Sequence, residues 1–281
     1  MSTSVVNEIL RHPEQLKLGG DKKELTVLFS DIRGFTSISE GLSPEELVHL
    51  LNEYLTVMTD IVFKHEGTLD KYMGDAIMAI YGAPFEQEDH AARACLSALE
   101  MMEALKLLNK KWMGEGKPPL DIGIGINTGL MMVGNMGSEQ LFDYTVMGDA
   151  VNLGSRLESA NKSYRTNILI SESTYEEVRE EFVCMEVDSV RVKGKNLPVK
   201  IYQLLGHRKV PEQLSKAVSY FEEGLKSYKE RRWQEAIGNF KLVKKLDGDL
   251  QVADLYIQRC LDLIANPPPP DWDGVFTMTT K

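Results

Sequence analysis

The chain has 281 residues, 43% of them hydrophobic and 26% charged, a globular composition with room for one sizeable domain and an appendage. A net charge of -10 and the lack of a basic stripe argue against nucleic-acid binding. No stretch reaches the roughly 18 apolar residues of a membrane span and no signal-peptide core opens the chain, so a cytoplasmic protein is expected, or the cytosolic part of one whose sensor or membrane region precedes residue 1.

Cys95, Cys184 and Cys260 show no paired spacing and read as reduced core thiols. Residues 1–20, with Pro13 and Gly19-Gly20, read as a connector. The run at residues 25–29 is apolar and β-branched, the pattern of a buried central strand, and Asp31 stands at its end before the turn pair Arg33-Gly34. Such an aspartate alone is most often a turn or helix cap. Ser43-Pro44-Glu45-Glu46 is a capping box, and Leu47, Leu50, Leu51, Tyr54, Leu55, Met58 and Ile61 follow it at helical spacing. Residues 67–81 read as a hairpin with Gly74-Asp75 at its tip. If that hairpin pairs beside the first strand, Asp31 and Asp75 come together, and two such carboxylates repel unless cations lie between them. Oxygen ligands of this kind suit Mg²⁺ or Mn²⁺, the usual apparatus for in-line attack on a phosphate.

A second helix is expected from about Asp89 to Trp112, then a strand over residues 120–128, a turn at Gly129 and a partner strand over residues 130–134. The resulting order, β-α-β-β-α-β, is that of a ferredoxin-like α+β sheet. Gly123, Gly125 and Gly129 match neither a dinucleotide fingerprint nor a phosphate loop and read as tight strand packing. Residues 142–157 read as a short strand that turns at Gly148 into a helix, with Asn152 and Arg156 four apart on one face. Residues 190–205 are two short strands around a basic arm holding Lys193 and Lys195; lysines on such an arm are solvated unless a triphosphate lies opposite.

Beyond residue 206, Tyr220, Gly224, Tyr228, Trp233, Ala236 and Phe240 resemble one tetratricopeptide helix-turn-helix, with a further helix over residues 252–264. A lone repeat cannot bury its apolar face, so it should pack on the preceding domain, a dimer mate or another protein. The prolines at 267–270 end the helical part, and Trp272 in the tail is expected to dock on a folded surface. The domains expected are a connector (1–20), a catalytic domain (21–206), a helical segment (207–265) and a Pro-rich tail (266–281).

The motifs F-S-D-I-R-G-F-T, D-K-Y-M-G-D-A, Y-T-V-M-G-D-A-V-N-L-G-S-R-L and V-K-G-K, in that order, resemble those of the class III nucleotidyl cyclase catalytic domain. The resemblance implies conversion of a nucleoside triphosphate to its 3′,5′-cyclic monophosphate and pyrophosphate by a head-to-tail homodimer. It implies two Mg²⁺ or Mn²⁺ ions per site, held by Asp31 and Asp75 with the main-chain carbonyl of Ile32. Arg156 would stabilise charge on the α-phosphate, Asn152 would orient the ribose, and Lys195 and Lys193 would contact the triphosphate.

By the same resemblance Lys71 donates to purine N1 and Thr145 accepts from the exocyclic amine, where guanylate cyclases carry Glu and Cys-type residues. ATP is therefore the expected substrate, favoured over GTP by about 1–3 kcal/mol per mismatched polar contact. Threonine in place of the more common aspartate at 145 resembles the bicarbonate-responsive branch, which raises bicarbonate regulation. A diguanylate cyclase or polymerase palm shares the core and its metal acids, but the hairpin here is M-G-D and neither fits Lys71, Asn152 and Arg156. A non-catalytic module with the same fold is the remaining alternative.

Overall fold

The computed structural model describes residues 18–191 and 198–277. By packing, the chain divides into two compact units, the first ending at Ser159 and the second beginning at Ala160.

The first unit opens with strand β1 (Gly19–Ile32), followed by the short helix α1 (Phe35–Glu40) and the long helix α2 (Pro44–Lys64). The capping box forms as its residues dictate: the Glu46 amide donates to Ser43 Oγ at 3.3 Å and the Ser43 amide to Glu46 Oε2 at 2.9 Å. Strands β2 (Thr68–Met73) and β3 (Ala76–Tyr81) make the expected hairpin, closed by Gly74-Asp75, with Gly74 at φ 70 as a two-residue turn requires. Helix α3 (His90–Gly114) leads to strand β4 (Ile122–Gly137), β5 (Phe142–Met147) pairs with the end of β4, and helix α4 (Asp149–Tyr164) begins after Gly148.

Sheet order is β2-β3-β1-β4, all antiparallel, with β1 central. This is the β-α-β-β-α-β arrangement expected from the sequence, with the helical crossovers α1–α2 and α3. The expected turn at Gly129 is not there. Leu25 pairs with Gly129, and the ladder runs unbroken from Ile32↔Ile122 to Gly19↔Asn135, so residues 122–137 are one strand and β5 supplies the hairpin partner. Gly129 carries no positive φ; the alternation that suggested two arms belongs to one strand paired with β1 along nearly its whole length.

Alternation along β1 assigns its two faces. Thr26 and Ser30 point to the side covered by α2 and α3, where Ser30 meets Tyr54 Oη at 3.4 Å. Leu25, Val27 and Phe29 point to the other side and pack with Met131, Val133 and Val146, with Ala150 and Val151 of α4 against them. Asp31 continues this second series, which puts it on the α4 side of the sheet.

The second unit contains strand β6 (Ile168–Ser171), helix α5 (Glu172–Val178), strands β7 (Phe182–Arg191) and β8 (Val199–His207), helices α6 (Glu212–Lys229), α7 (Trp233–Leu246) and α8 (Val252–Ala265), and strand β9 (Phe276–Thr277). Its strands lie in the order β6-β8-β7-β9. Strand β6 and helix α5 had no clear signature in the sequence. The C-terminal helices pack on β7, the first of the destinations expected for them: Tyr256 Oη donates to the Val187 carbonyl at 2.7 Å, and Arg259 pairs with the fully buried Asp188 at 2.8 Å. Trp272 docks edge-on against Tyr228, with centroids 5.4 Å apart, and beneath the Arg231 guanidinium at 5.6 Å.

Cys95 and Cys260 are buried, Cys184 is half-buried, and all are free thiols. Burial pushes the Cys184 and Cys260 thiols up to about 12, as inert core residues. Among the described residues no helix is long and apolar enough to cross a membrane.

Candidate active site

Asp31 and Asp75 reach the same place from two directions. Asp31 ends the central strand on its α4 side, and Asp75 caps the adjacent β2-β3 turn, within hydrogen-bonding reach of it. Burial first, then Asp75, then the charge of Glu158 push the Asp31 carboxyl up to about 7; a hydrogen bond from the Ile32 amide at 3.0 Å pulls the other way. Asp75 Oδ2 is buried and has no hydrogen-bond partner. Two abutting carboxylates, one with an orphaned oxygen, are hard oxygen donors of the type that fits a divalent cation. Among the described residues no group of three or more acidic, His or Cys side chains is set to hold a metal. Ile32, expected to add its carbonyl, is the buried last residue of β1 next to Asp31, at 4% exposure.

Two glycines let α4 come close. A Cβ on Gly125 would lie 2.1 Å from the Glu158 amide nitrogen and 2.4 Å from the Gly154 carbonyl oxygen, and one on Gly154 would lie 2.9 Å from Val27. The reading of Gly125 as tight packing holds, but the partner is a helix rather than another strand. Because Gly154 and Glu158 are four apart, the residue that makes the close approach also aims Glu158 at the acid pair. Glu158 carries no motif of its own in the sequence; its spacing of four from Gly154 is the available signal. Asn152 is exposed and Arg156 half-exposed on α4, away from the buried Leu153 and Leu157.

Lys71 and Thr145 are brought together by Asp70, a residue with no expected role in the sequence. Asp70 lies where the β2-β3 register slips: Leu69 pairs with Ala79 and Lys71 with Met78, so Asp70 is the extra residue of a β-bulge. Its side chain is fully buried. Thr145 Oγ1 donates to Asp70 Oδ2 at 2.6 Å, and Lys71 Nζ stands 3.4 Å from Asp70 Oδ1. Burial raises the Asp70 carboxyl while Thr145 and Lys71 pull it down. The only hint in the sequence is an acid next to the lysine inside a strand. Lys193 and Lys195 lie outside the described residues.

A ferredoxin-like sheet that presents paired acids at the end of its central strand, and separately joins a lysine and a threonine through a buried acid, defines a domain suited to metal-assisted phosphate chemistry. The chain belongs to the adenylate and guanylate cyclase catalytic domain family, whose model matches residues 20–206. Adenylate cyclase 1 of Rhizobium meliloti (strain 1021) is 37% identical over 185 residues, 66% of this chain and 28% of that protein. An adenylate cyclase of Anabaena cylindrica is 39% identical over 199 residues, 68% of this chain and 39% of that protein. The chain thus spans well under half the length of these relatives. Among solved structures, the adenylyl cyclase CyaB from P. aeruginosa superposes with a TM-score of 0.63 at 41% identity, covering 69% of this chain and 98% of that one. The guanylyl cyclase Cya2 superposes with a TM-score of 0.62 at 44% identity over the same shares. Overall likeness therefore does not separate the two nucleotides.

Proposed function

We propose that this chain is an adenylate cyclase that converts ATP to 3′,5′-cyclic AMP and pyrophosphate. The observation that carries the reading is the abutment of Asp31 and Asp75, with Asp75 Oδ2 buried and unpartnered beside it. Two Mg²⁺ or Mn²⁺ ions per site, when bound, would acidify the ribose 3′-hydroxyl and neutralise the β- and γ-phosphates. Asp31, Asp75 and the Ile32 carbonyl would hold them. In the reaction the 3′-oxygen bonds to the α-phosphorus as the bond to the pyrophosphate oxygen breaks, and the hydroxyl proton leaves to solvent.

Asn152 orients the ribose, Arg156 meets the charge that grows on the α-phosphate, and Lys195 and Lys193 grip the triphosphate. Lys71 and Thr145 read the purine as a donor and an acceptor, the Thr-type arrangement, which supports ATP where sequence identity alone is neutral. The enzyme works as a homodimer in the cytoplasm with sites shared between subunits, and bicarbonate is its candidate effector. Residues 21–206 form the catalytic domain, 1–20 a connector, 207–265 a tetratricopeptide-like segment and 266–281 a Pro-rich tail.

Purified protein with Mn²⁺ and ATP should form cyclic AMP, with kcat/KM for ATP exceeding that for GTP by about tenfold or more. No cyclic nucleotide from either substrate overturns the activity. Equal turnover overturns the assignment of the base.

A further inference from the structure

Resting on that reading, we propose that Asp70 is the positioning residue that sets base specificity: it fixes the hydrogen-bonding polarity of Thr145 and holds the Lys71 ammonium in place, and so selects a 6-amino purine. An ionised carboxylate only accepts, whereas a threonine hydroxyl has one proton and two lone pairs. With Thr145 Oγ1 donating to Asp70 Oδ2 at 2.6 Å, that single proton is committed. Toward a ligand the hydroxyl is then an acceptor only. It matches the exocyclic amine of adenine and opposes the 6-carbonyl of guanine.

The same carboxylate holds Lys71. Asp70 Oδ1 is buried, makes no hydrogen bond, and has the Lys71 ammonium at 3.4 Å as its ion-pair partner. An ammonium only donates, which suits the bare N1 of adenine and not the N1–H of guanine. In a regular strand Asp70 and Lys71 would point to opposite faces; the bulge between Leu69 and Lys71 relaxes that alternation and lets one acid reach both partners. Thr145 is itself buried, at 6% exposure, so its hydroxyl has little water with which to exchange this partner.

Replacing Asp70 by asparagine puts an amide N–H where only an acceptor stood. Thr145 can then accept from residue 70 and turn its proton to a 6-oxo purine, and Lys71 loses its counter-charge. The test is steady-state kinetics of the full chain with Mn²⁺, on ATP and on GTP, for wild type, Asp70→Asn, Thr145→Val and the double variant. The ATP/GTP ratio of kcat/KM should fall about tenfold in Asp70→Asn, mainly through opposite changes in the two KM values with kcat for ATP less affected. Thr145→Val should lower the ratio comparably, and the double variant should be no worse than either single, because both changes remove one interaction.

Should Asp70→Asn not fold, Asp70→Ser carries the same expectation, since its hydroxyl can also donate to Thr145. A variant that loses kcat/KM equally for both nucleotides, or effects that add in the double variant, overturn the proposal and leave Asp70 a structural acid. A wild type that does not distinguish ATP from GTP overturns the underlying reading instead.

Discussion

His90 opens α3 in a buried position, with Nδ1 2.8 Å from Thr26 Oγ1, which in turn lies 2.7 Å from Thr128 Oγ1. Burial holds its pKa below the ordinary 6.5, although the charges of Glu24 and Asp89 oppose the shift. The native state therefore binds fewer protons here than the unfolded chain once pH falls through the ordinary histidine range. Stability at this site is full above that range and is lost on acidification. Chemical denaturation at about pH 7.5 and about pH 5.5 should show wild type losing more stability than His90→Gln. Equal losses in the two proteins would mean that His90 does not report its burial. Its role was not legible in the sequence, where a histidine opening a helix has the same letters whether buried or wet. Asp31 was legible because a second acid, at a hairpin tip, gave it a partner; Asp70 was not, because a bulge is set by register and leaves no mark on periodicity.

Helix α4 carries Asn152, Arg156 and Glu158, and besides its apolar side chains a close backbone contact seats it on the sheet. Gly125→Ala would place a methyl 2.1 Å from the Glu158 amide nitrogen, a clash with main chain that no rotamer change relieves. The expected cost is about 1–3 kcal/mol of stability, the range for overpacked cores. Since α4 must move to make room, cyclase activity should fall further than the lost folded fraction accounts for. A urea midpoint and activity both equal to wild type would show that α4 is not seated on this contact. Elements with a local chemical signal were readable in advance: the Ser43 capping box, the Gly74-Asp75 turn and the Gly148 entry to α4. Strand β4 was misread because its continuity depends on the length of β1, which pairs with it from Gly19 to Ile32. Nothing within residues 120–134 records that length.

At the scale of the molecule, the hairpin sets a geometric problem. Lys71 and Asp75 lie on one short turn, four residues apart, yet the purine edge and the phosphates lie at opposite ends of ATP. One hairpin is poorly placed to serve both ends of one nucleotide. In the homodimer proposed above, the acids of one subunit face the Lys71, Thr145, Asn152 and Arg156 of the other, and two-fold symmetry makes two equivalent composite sites. Asp31→Ala removes a metal ligand and Arg156→Ala a transition-state contact, so each homodimer should be nearly inactive. A mixed dimer of the two gathers both lesions into one site and leaves the second intact. With random pairing half the dimers are mixed and each has one good site of two, so exchange of equal amounts should restore about a quarter of wild-type activity. Subunit exchange is checked separately, by labelling each variant with one of two fluorophores and following energy transfer. A mixture that exchanges and stays inactive would place both residues in the same site, and the shared-site arrangement would be wrong.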